Sequence, residues 1–471
     1  MPIEALRTLL DAQRAAFARG APAYRERMQA LAALRNGLLA RRDDLVAAVS
    51  ADFGGRAAEE TLMLEVFPVL DQIRHARRHL RRWMRRRRVP SSWFLLPSRA
   101  FVQYVPLGVV GVIGAWNYPV LLTLSPLVDA LAAGNHALVK PSELTPRTAA
   151  GIAEILSSAF APEYVRCVTG GPEVGRAFSA LPLDHLCFTG SAEVGKEVMR
   201  AAAANLTPVT LELGGKSPAI VHESFPLALA VRRIMAGKLF NAGQTCVAPD
   251  YVLLPEALEA EFEVQAHRAA AQLYPRLRDN ADYTRIVNHR QVERLRTLLE
   301  DAAAKGARVV PLASITAEDW TATRLVPPVL VFAPNDAMLL LQEEVFGPVL
   351  PVVSYSGLDE AIQFVNARPR PLALYYFDND KGRVDTVLQR TQSGGVTIND
   401  CVYHLGQHNL PFGGVGASGM GQYHGFDGFV TFSKKRGVMR QRRWTITSLV
   451  HPPYQGRATR LIDALLRVAA R

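Results

Sequence analysis

The sequence predicts an α/β protein of two or more domains, on three observations. At 471 residues and 49% hydrophobic content, the chain exceeds what a single core usually holds. Segments rich in Val, Ile and Leu alternate with Ala- and Leu-rich helical stretches, the pattern of a parallel sheet covered by helices. Four cysteines (Cys167, Cys187, Cys246 and Cys401) are too few and scattered for a disulfide framework, and no C-x-x-C pair offers metal-ligand spacing. A reducing cytoplasm is the expected compartment. The N-terminus, with Glu4, Asp11 and spaced Arg residues, reads as an amphipathic helix and not as an export signal.

The elements follow in order. Residues up to about Phe53, and Leu62 to about Met84, read as helical. In the second stretch Arg74, Arg77, Arg78, Arg81 and Arg82 recur opposite Ile73, Ala76, Leu80 and Met84, and Arg85 to Arg88 follow, which supplies much of the +11 net charge. A solvated basic face is the leading reading; contact with anionic lipid, nucleic acid or another acidic partner is the minor one, and nucleic acid is not among the expected partners. Ser98–Val105 suits a strand or hairpin arm. Val105 to Val128 carries no charge and is long enough to span a bilayer, but Pro106, Pro119 and Pro126 with Gly108, Gly111 and Gly114 interrupt it. A buried strand Val109–Ala115, a turn at Asn117–Tyr118 and a helix starting near Pro119 fit better.

From there βα alternation continues. Strands are expected at Ala137–Lys140, Val165–Val168 and His185–Phe188, with helices at Thr145–Phe160, Glu173–Ala180 and Ser191–Asn205, a nucleotide-binding type of sheet. The expected division is 1–208 for that domain, with 98–105 contributing to an arm, 209–392 for a catalytic domain, 393–445 for a return segment and oligomerisation arm, and 446–471 for a tail. In the tail, Leu461, Ile462, Leu465, Leu466 and Val468 with Arg460, Arg467 and Arg471 form a short amphipathic helix. Docking on the body or on a second subunit is its leading use, and weak membrane-surface attachment the minor one.

Three places could carry chemistry. Glu212 ends a β-rich run directly before Gly214–Gly215, where its carboxylate would emerge into a cleft; alone, such a residue is as often structural. Cys246 lies in the polar, Gly-containing loop FNAGQTCVAPDYVLL, between a helix and a strand. Cysteine is an intrinsically strong nucleophile, and a nearby base or positive field raises its thiolate fraction. Cys167 and Cys187 read as core. Gly190-Ser191-Ala192-Glu193-Val194-Gly195 is a strand-to-helix turn that aims amides and a helix dipole at an anion, without the full G-x-G-x-x-G fingerprint.

The motifs GAWNYP, LVKPSELTP, FTGSAEVGK, LELGGKSP, FNAGQTC, EEVFGPV and LPFGGVGASGMGQYHG occur in this order over roughly 110–425. Together they resemble the aldehyde dehydrogenase superfamily. QTCVAPDYVL, NDCVYHLGQHNLPFGGVG and GQYHGFDGFVTFSKKRGV resemble its class 3-like branch, and RHLRRWM and HPPY are most similar to the bacterial coniferyl-aldehyde-oxidising members. The resemblance implies a Rossmann-type NAD-binding domain, an α/β catalytic domain and a β-strand oligomerisation arm. It implies Cys246 as nucleophile, Asn117 as oxyanion donor beside the Cys246 amide, and Glu212 as the base that hydrolyses the thioester. Lys140 and Glu143 would hold the adenosine ribose, Ser191 and the turn Gly190–Gly195 the pyrophosphate, Glu344 and Phe346 the nicotinamide end, and Trp116 would line the cleft. Glu143 favours NAD over NADP, with dual use open because Lys140 could pair with a 2′-phosphate. No metal is required. The implied partners are an aromatic or medium-chain aliphatic aldehyde, with Tyr118, Tyr403 and His404 near its entrance, and a second copy in a homodimer. A CoA-acylating relative and a non-catalytic basic binding protein are the alternatives; Glu212 argues against the first, and the joint presence of Cys246, Glu212 and Asn117 against the second.

Overall fold

The computed structural model describes residues 3–452, 454 and 456–470. Its strands are β1 (Arg87–Val89), β2 (Arg99–Pro106), β3 (Val109–Ile113), β4 (His136–Lys140), β5 (Val165–Cys167), β6 (His185–Thr189), β7 (Val209–Glu212) and β8 (Pro218–Val221), then β9 (Tyr251–Pro255), β10 (Arg308–Pro311), β11 (Val329–Phe332), β12 (Val349–Tyr355), β13 (Ala373–Phe377), β14 (Gly395–Ile398), β15 (Gly419–Met420) and β16 (Ser433–Arg440). A six-stranded sheet has the order β15-β7-β6-β3-β4-β5, a seven-stranded sheet β10-β11-β12-β9-β8-β13-β14, and a three-stranded sheet β1-β2-β16. The two large sheets are parallel except at β15 and β10. Strands β3, β4 and β6 are buried along their whole length, because helices cover both faces of a parallel sheet. The α/β architecture expected from the alternation is the one observed.

Two expected divisions move by one strand. β7 was placed at the start of the catalytic domain at 209, but it pairs with β6 and extends the six-stranded sheet before the chain crosses to β8. β14 was placed in the return segment after 393, yet it completes the seven-stranded sheet beside β13. The chain then returns, and β15 pairs with β7 at Gly419↔Glu212. Local sequence pattern marks strands but not which sheet receives them. The basic helix ends at Trp83, within a residue of the expected limit, and Arg87–Val89 then pairs antiparallel with β2. Ile73, Ala76 and Leu80 face the core as expected.

The charge-free stretch resolves into β3 and a helix, Pro119–Ala133, whose every residue is buried. Among the described residues no helix is long and apolar enough to cross a membrane. Two polar side chains of this helix are met by Gln72, which accepts from Ser125 Oγ at 2.6 Å and donates to Asp129 Oδ1 at 3.0 Å. Burial pushes the Asp129 carboxyl up to about 7.

The start of this helix is held by a buried ion pair. A π-helical turn, Leu62–Val66, delivers Glu65, which accepts from the amides of Val120 (2.7 Å) and Leu121 (3.2 Å). A carboxylate there satisfies first-turn donors and opposes the positive end of the helix dipole. Arg56 Nη1 donates to Glu65 at 2.9 Å and reaches the Asn117 carbonyl at 3.4 Å, and its guanidinium lies 4.9 Å from the centre of the Tyr118 ring. Both charged side chains are fully buried. Removing one partner leaves the other charge stranded, which costs about 3–5 kcal/mol. Glu65→Ala is therefore expected to lower the unfolding free energy by about that amount in a urea titration; a change within experimental error would show that the pair does not hold the helix.

Candidate functional site

The loop bearing Cys246 is built on an unusual backbone turn. Asn241 (φ 52°), Ala242 (φ 50°) and Gly243 (φ 75°) are successively left-handed. Such a run costs on the order of 1–3 kcal/mol per non-glycine residue and persists only where surroundings enforce it. Asn tolerates this region, and a Cβ at Gly243 would strike the Gly347 carbonyl, so the first and last residues of N-A-G suit the geometry while Ala242 carries the strain. Enforcement comes from side chains. Asn241 Nδ2 donates to the carbonyls of Asn117 (2.8 Å) and Gln244 (3.1 Å). Gln244 Nε2 donates to the carbonyls of Asn241 (2.9 Å) and Arg285 (3.1 Å), and its Oε1 accepts from the Val287 amide at 2.9 Å.

Asn117 closes the clasp. Its Nδ2 donates to the Gln244 carbonyl at 3.2 Å, which fixes the amide's orientation and leaves its second N–H for another acceptor. The neighbouring Tyr118 hydroxyl meets Thr245 Oγ1 at 2.7 Å. The two segments predicted to supply the nucleophile and the oxyanion donor are thus hydrogen-bonded to each other.

Glu212 ends β7, 3% exposed, and both of its carboxylate oxygens lack a hydrogen-bond partner among the described residues. Burial pushes its pKa well above the ordinary carboxylate value, because desolvation disfavours the charged form. Glu344 folds over Gly214–Gly215, where a Cβ at Gly214 would collide with its carboxylate. Burial and then Asp250 push Glu344 up to about 8. The Cys246 thiol is half-buried, and burial, Glu344 and Glu212, in that order, raise its pKa to about 12. The sequence suggests an activatable cysteine; the resting structure holds a neutral thiol between two carboxyls.

The motifs are also tied together at a distance from the thiol. Lys216, after the LELGG motif, forms an ion pair with Asp250 and donates to the carbonyls of Leu340 (2.7 Å) and Glu343 (2.9 Å). Asp250 Oδ1 accepts from the Val345 amide at 2.8 Å, and Arg294 donates to the Glu344 carbonyl at 3.1 Å. This fixes Phe346 at φ 46° with its ring edge-on to Trp116, centroids 5.4 Å apart.

The cofactor residues expected from the sequence fit a dinucleotide. Lys140, at the end of β4, bonds Glu143 at 2.9 Å, a paired donor and acceptor suited to ribose hydroxyls. Ser191 caps the helix Ala192–Ala203 by accepting from the Val194 amide at 3.3 Å, so the positive helix end faces outward beside Gly190. Gly195 lies where a Cβ would press on Leu213, which lets the helix pack against the end of β7.

Of the three aromatic residues expected near an entrance, Tyr403 is exposed beside Phe240 and Arg233 in one cleft. Tyr118 is buried, and His404 turns inward to Thr397 Oγ1 at 2.9 Å, with burial lowering its pKa to about 4. Arg56 and Glu65 had no signal in the sequence, since a buried ion pair has no local pattern. Asn241 and Gln244 were inside the quoted motif and legible as positions, but not as a clasp.

The aldehyde dehydrogenase family model matches residues 4–438. A coniferyl aldehyde dehydrogenase of a Pseudomonas strain is 46% identical over 442 residues, covering 93% of this chain and 91% of the relative. The substrate-bound Staphylococcus aureus AldH superposes with a TM-score of 0.92 at 36% identity, covering 98% of this chain and 99% of that one. A Mycobacterium tuberculosis aldehyde dehydrogenase complexed with NAD+ gives a TM-score of 0.83 at 28% identity, covering 93% and 90%.

Because the Cys246 pKa stands near 12, alkylation of the isolated protein by iodoacetamide should rise steadily with pH and show no plateau at neutrality. Glu344 ionises near 8, and its negative charge opposes the thiolate. Glu344→Gln should therefore speed alkylation above that pH and change it little below. A wild-type plateau near pH 7 would contradict the neutral-thiol assignment.

Proposed function

The chain belongs to the aldehyde dehydrogenase family, and on that footing we propose that it oxidises aromatic aldehydes of the coniferyl type to their acids through a thioester on Cys246. It is a nicotinamide-dependent oxidoreductase. The observation that carries the mechanistic reading is the clasp between Asn117 and the Asn241–Cys246 loop, because it sets the donor amide and the nucleophile in one rigid unit.

Cys246 Sγ adds to the aldehyde carbon and forms a thiohemiacetal. The free N–H of Asn117 Nδ2 and the Cys246 amide bind the oxyanion, and loss of one such donor typically costs about 3 kcal/mol of barrier. When bound, the nicotinamide supplies the hydride acceptor and a positive ring. Phe346 and Trp116 bound its end of the cleft, while Lys140, Glu143 and the Ser191 turn hold the rest. The raised pKa of Glu212 suits a group that accepts the proton of the thiol or of the attacking water near neutral pH. Water then releases the acid. The sequence similarity to a coniferyl aldehyde dehydrogenase supports the aromatic substrate, with medium-chain aliphatic aldehydes as the comparison class. Glu143 would repel a 2′-phosphate, which favours NAD, while Lys140 leaves NADP usable.

We assign the three-stranded sheet to a homodimer arm: β1 and β16 are its outer strands, and β14 ends the seven-stranded sheet, so each presents an edge to a partner strand. Four free cysteines fit a cytoplasmic setting.

Aldehydes of both classes should be assayed with NAD and NADP for the wild type and variants. Cys246→Ala should abolish every reaction, and Asn117→Ala should slow NADH formation roughly a hundredfold. Glu212→Gln should keep a burst of NADH and lose steady-state turnover. The wild-type deacylation rate should rise with pH through an apparent pKa above the carboxylate range, a limb absent from Glu212→Gln; equal loss of burst and steady state would remove Glu212 from hydrolysis.

A further inference from the structure

The positive charge of this chain is not spread over its surface. Segments 74–99 and 433–471 together contain twenty of the 54 Lys and Arg residues and one of the 43 Asp and Glu, so the remainder of the molecule is net acidic. The fold gathers these segments. β16 pairs along its length with β2, and β1 lies on the other side of β2. Tyr104 marks the inner face of this sheet, its ring 5.7 Å from those of Phe426 and Phe429 on the body. Residues of the opposite parity point outward: Arg99, Phe101 and Val105 on β2, Lys434, Arg436 and Arg440 on β16, and Arg88 on β1. Arg86 lies 5.0 Å over the Phe101 ring on this face. Among the described residues, none of the arm's or tail's basic side chains forms an ion pair.

The tail extends this surface with apolar groups. Arg440 leads through Arg442 and Arg443 to Trp444, which is 82% exposed. The short turn at Ile446–Val450 touches the turn Trp93–Leu95, where Trp93 and Phe94 are exposed. The helix Arg457–Ala469 packs on the Ile446–Val450 turn. Its apolar stripe is only partly covered, for Leu466 is 63% exposed and Val468 is also open, while Arg460 and Arg467 flank the stripe. Protruding Trp and Leu side chains interleaved with unpaired Arg are the composition of a segment that lies in a lipid headgroup layer.

We propose that the outer face of the arm and the amphipathic tail helix dock this enzyme on an anionic bilayer surface. The basic residues meet lipid phosphates, and Trp93, Trp444 and the open edge of the tail helix enter the headgroup and upper acyl region. A two-fold contact with a second copy through the same face would set the basic residues against each other, and a nucleic acid would leave the exposed Leu and Trp residues without a partner. The strand edges proposed for the dimer arm are distinct from this face. The inference is independent of which aldehyde is oxidised.

Flotation of the full-length protein should be compared on vesicles of phosphatidylglycerol mixed with phosphatidylcholine and on phosphatidylcholine alone. The expected result is binding to the anionic vesicles that is roughly tenfold or more stronger than to neutral ones and weakens with salt. Two variants, R440E/R442E/R443E and W444S/L466E, should each lose this binding while aldehyde turnover and sedimentation mass stay at wild-type values. The inference is overturned by absent flotation, by equal binding to neutral vesicles, by binding to duplex DNA in place of vesicles, or by a variant that lowers the sedimentation mass, since that would put a second copy on this face.

Discussion

A pair of amide-to-carbonyl hydrogen bonds joins the two halves of this molecule at the candidate site. Asn117 stands on the turn after β3 of the six-stranded sheet, and Asn241 and Gln244 precede Cys246 in the unit of the seven-stranded sheet. Each side chain bonds the other segment's backbone, so a shift of one unit against the other would break both contacts together. The left-handed turn at Asn241–Gly243 makes sense only within this arrangement. Behind it, Arg56 and Glu65 lock the start of the helix that follows Asn117, so the constraint extends from the reactive loop into the core.

Electrostatics then define the resting state. Three ionisable groups, Glu212, Glu344 and Cys246, influence one another here, and burial is the largest effect on each, driving it toward its neutral form. A permanently ionised cysteine would react with any electrophile that entered. Here the thiolate forms readily only when a base takes its proton or a positive charge arrives next to it, which ties reactivity to occupancy of the cleft. The ion pair of Lys216 with Asp250 and the hydrogen bonds around Glu343–Val345 hold the Glu344 segment in place, and Lys216 and Arg294 offset the burial of Glu344 only in part.

Much of this was legible in the sequence because the relevant segments carry local signatures. The βα alternation gave strands at nearly their observed limits, and Pro and Gly within the apolar stretch correctly divided it into β3 and a helix. Sheet membership was not legible: Val209–Glu212 and Gly395–Ile398 read as plain strands, and only their pairing partners decide which sheet they complete. The candidate residues Cys246, Asn117 and Glu212 were named through motifs. Arg56, Glu65 and the inward turn of His404 depend on contacts between distant residues and leave no local pattern.

The return of the chain to β7 has a consequence for biosynthesis. β15 and β16 pair with strands that left the ribosome more than 200 and 300 residues earlier. Until Gly419 emerges, the nascent polypeptide carries Glu212 on a bare sheet margin, and until β16 emerges β2 has only three-residue β1 beside it. Closure of such distant pairings is slow and leaves exposed margins open to wrong partners. The order of synthesis therefore withholds a finished reaction centre until almost the whole message has been translated.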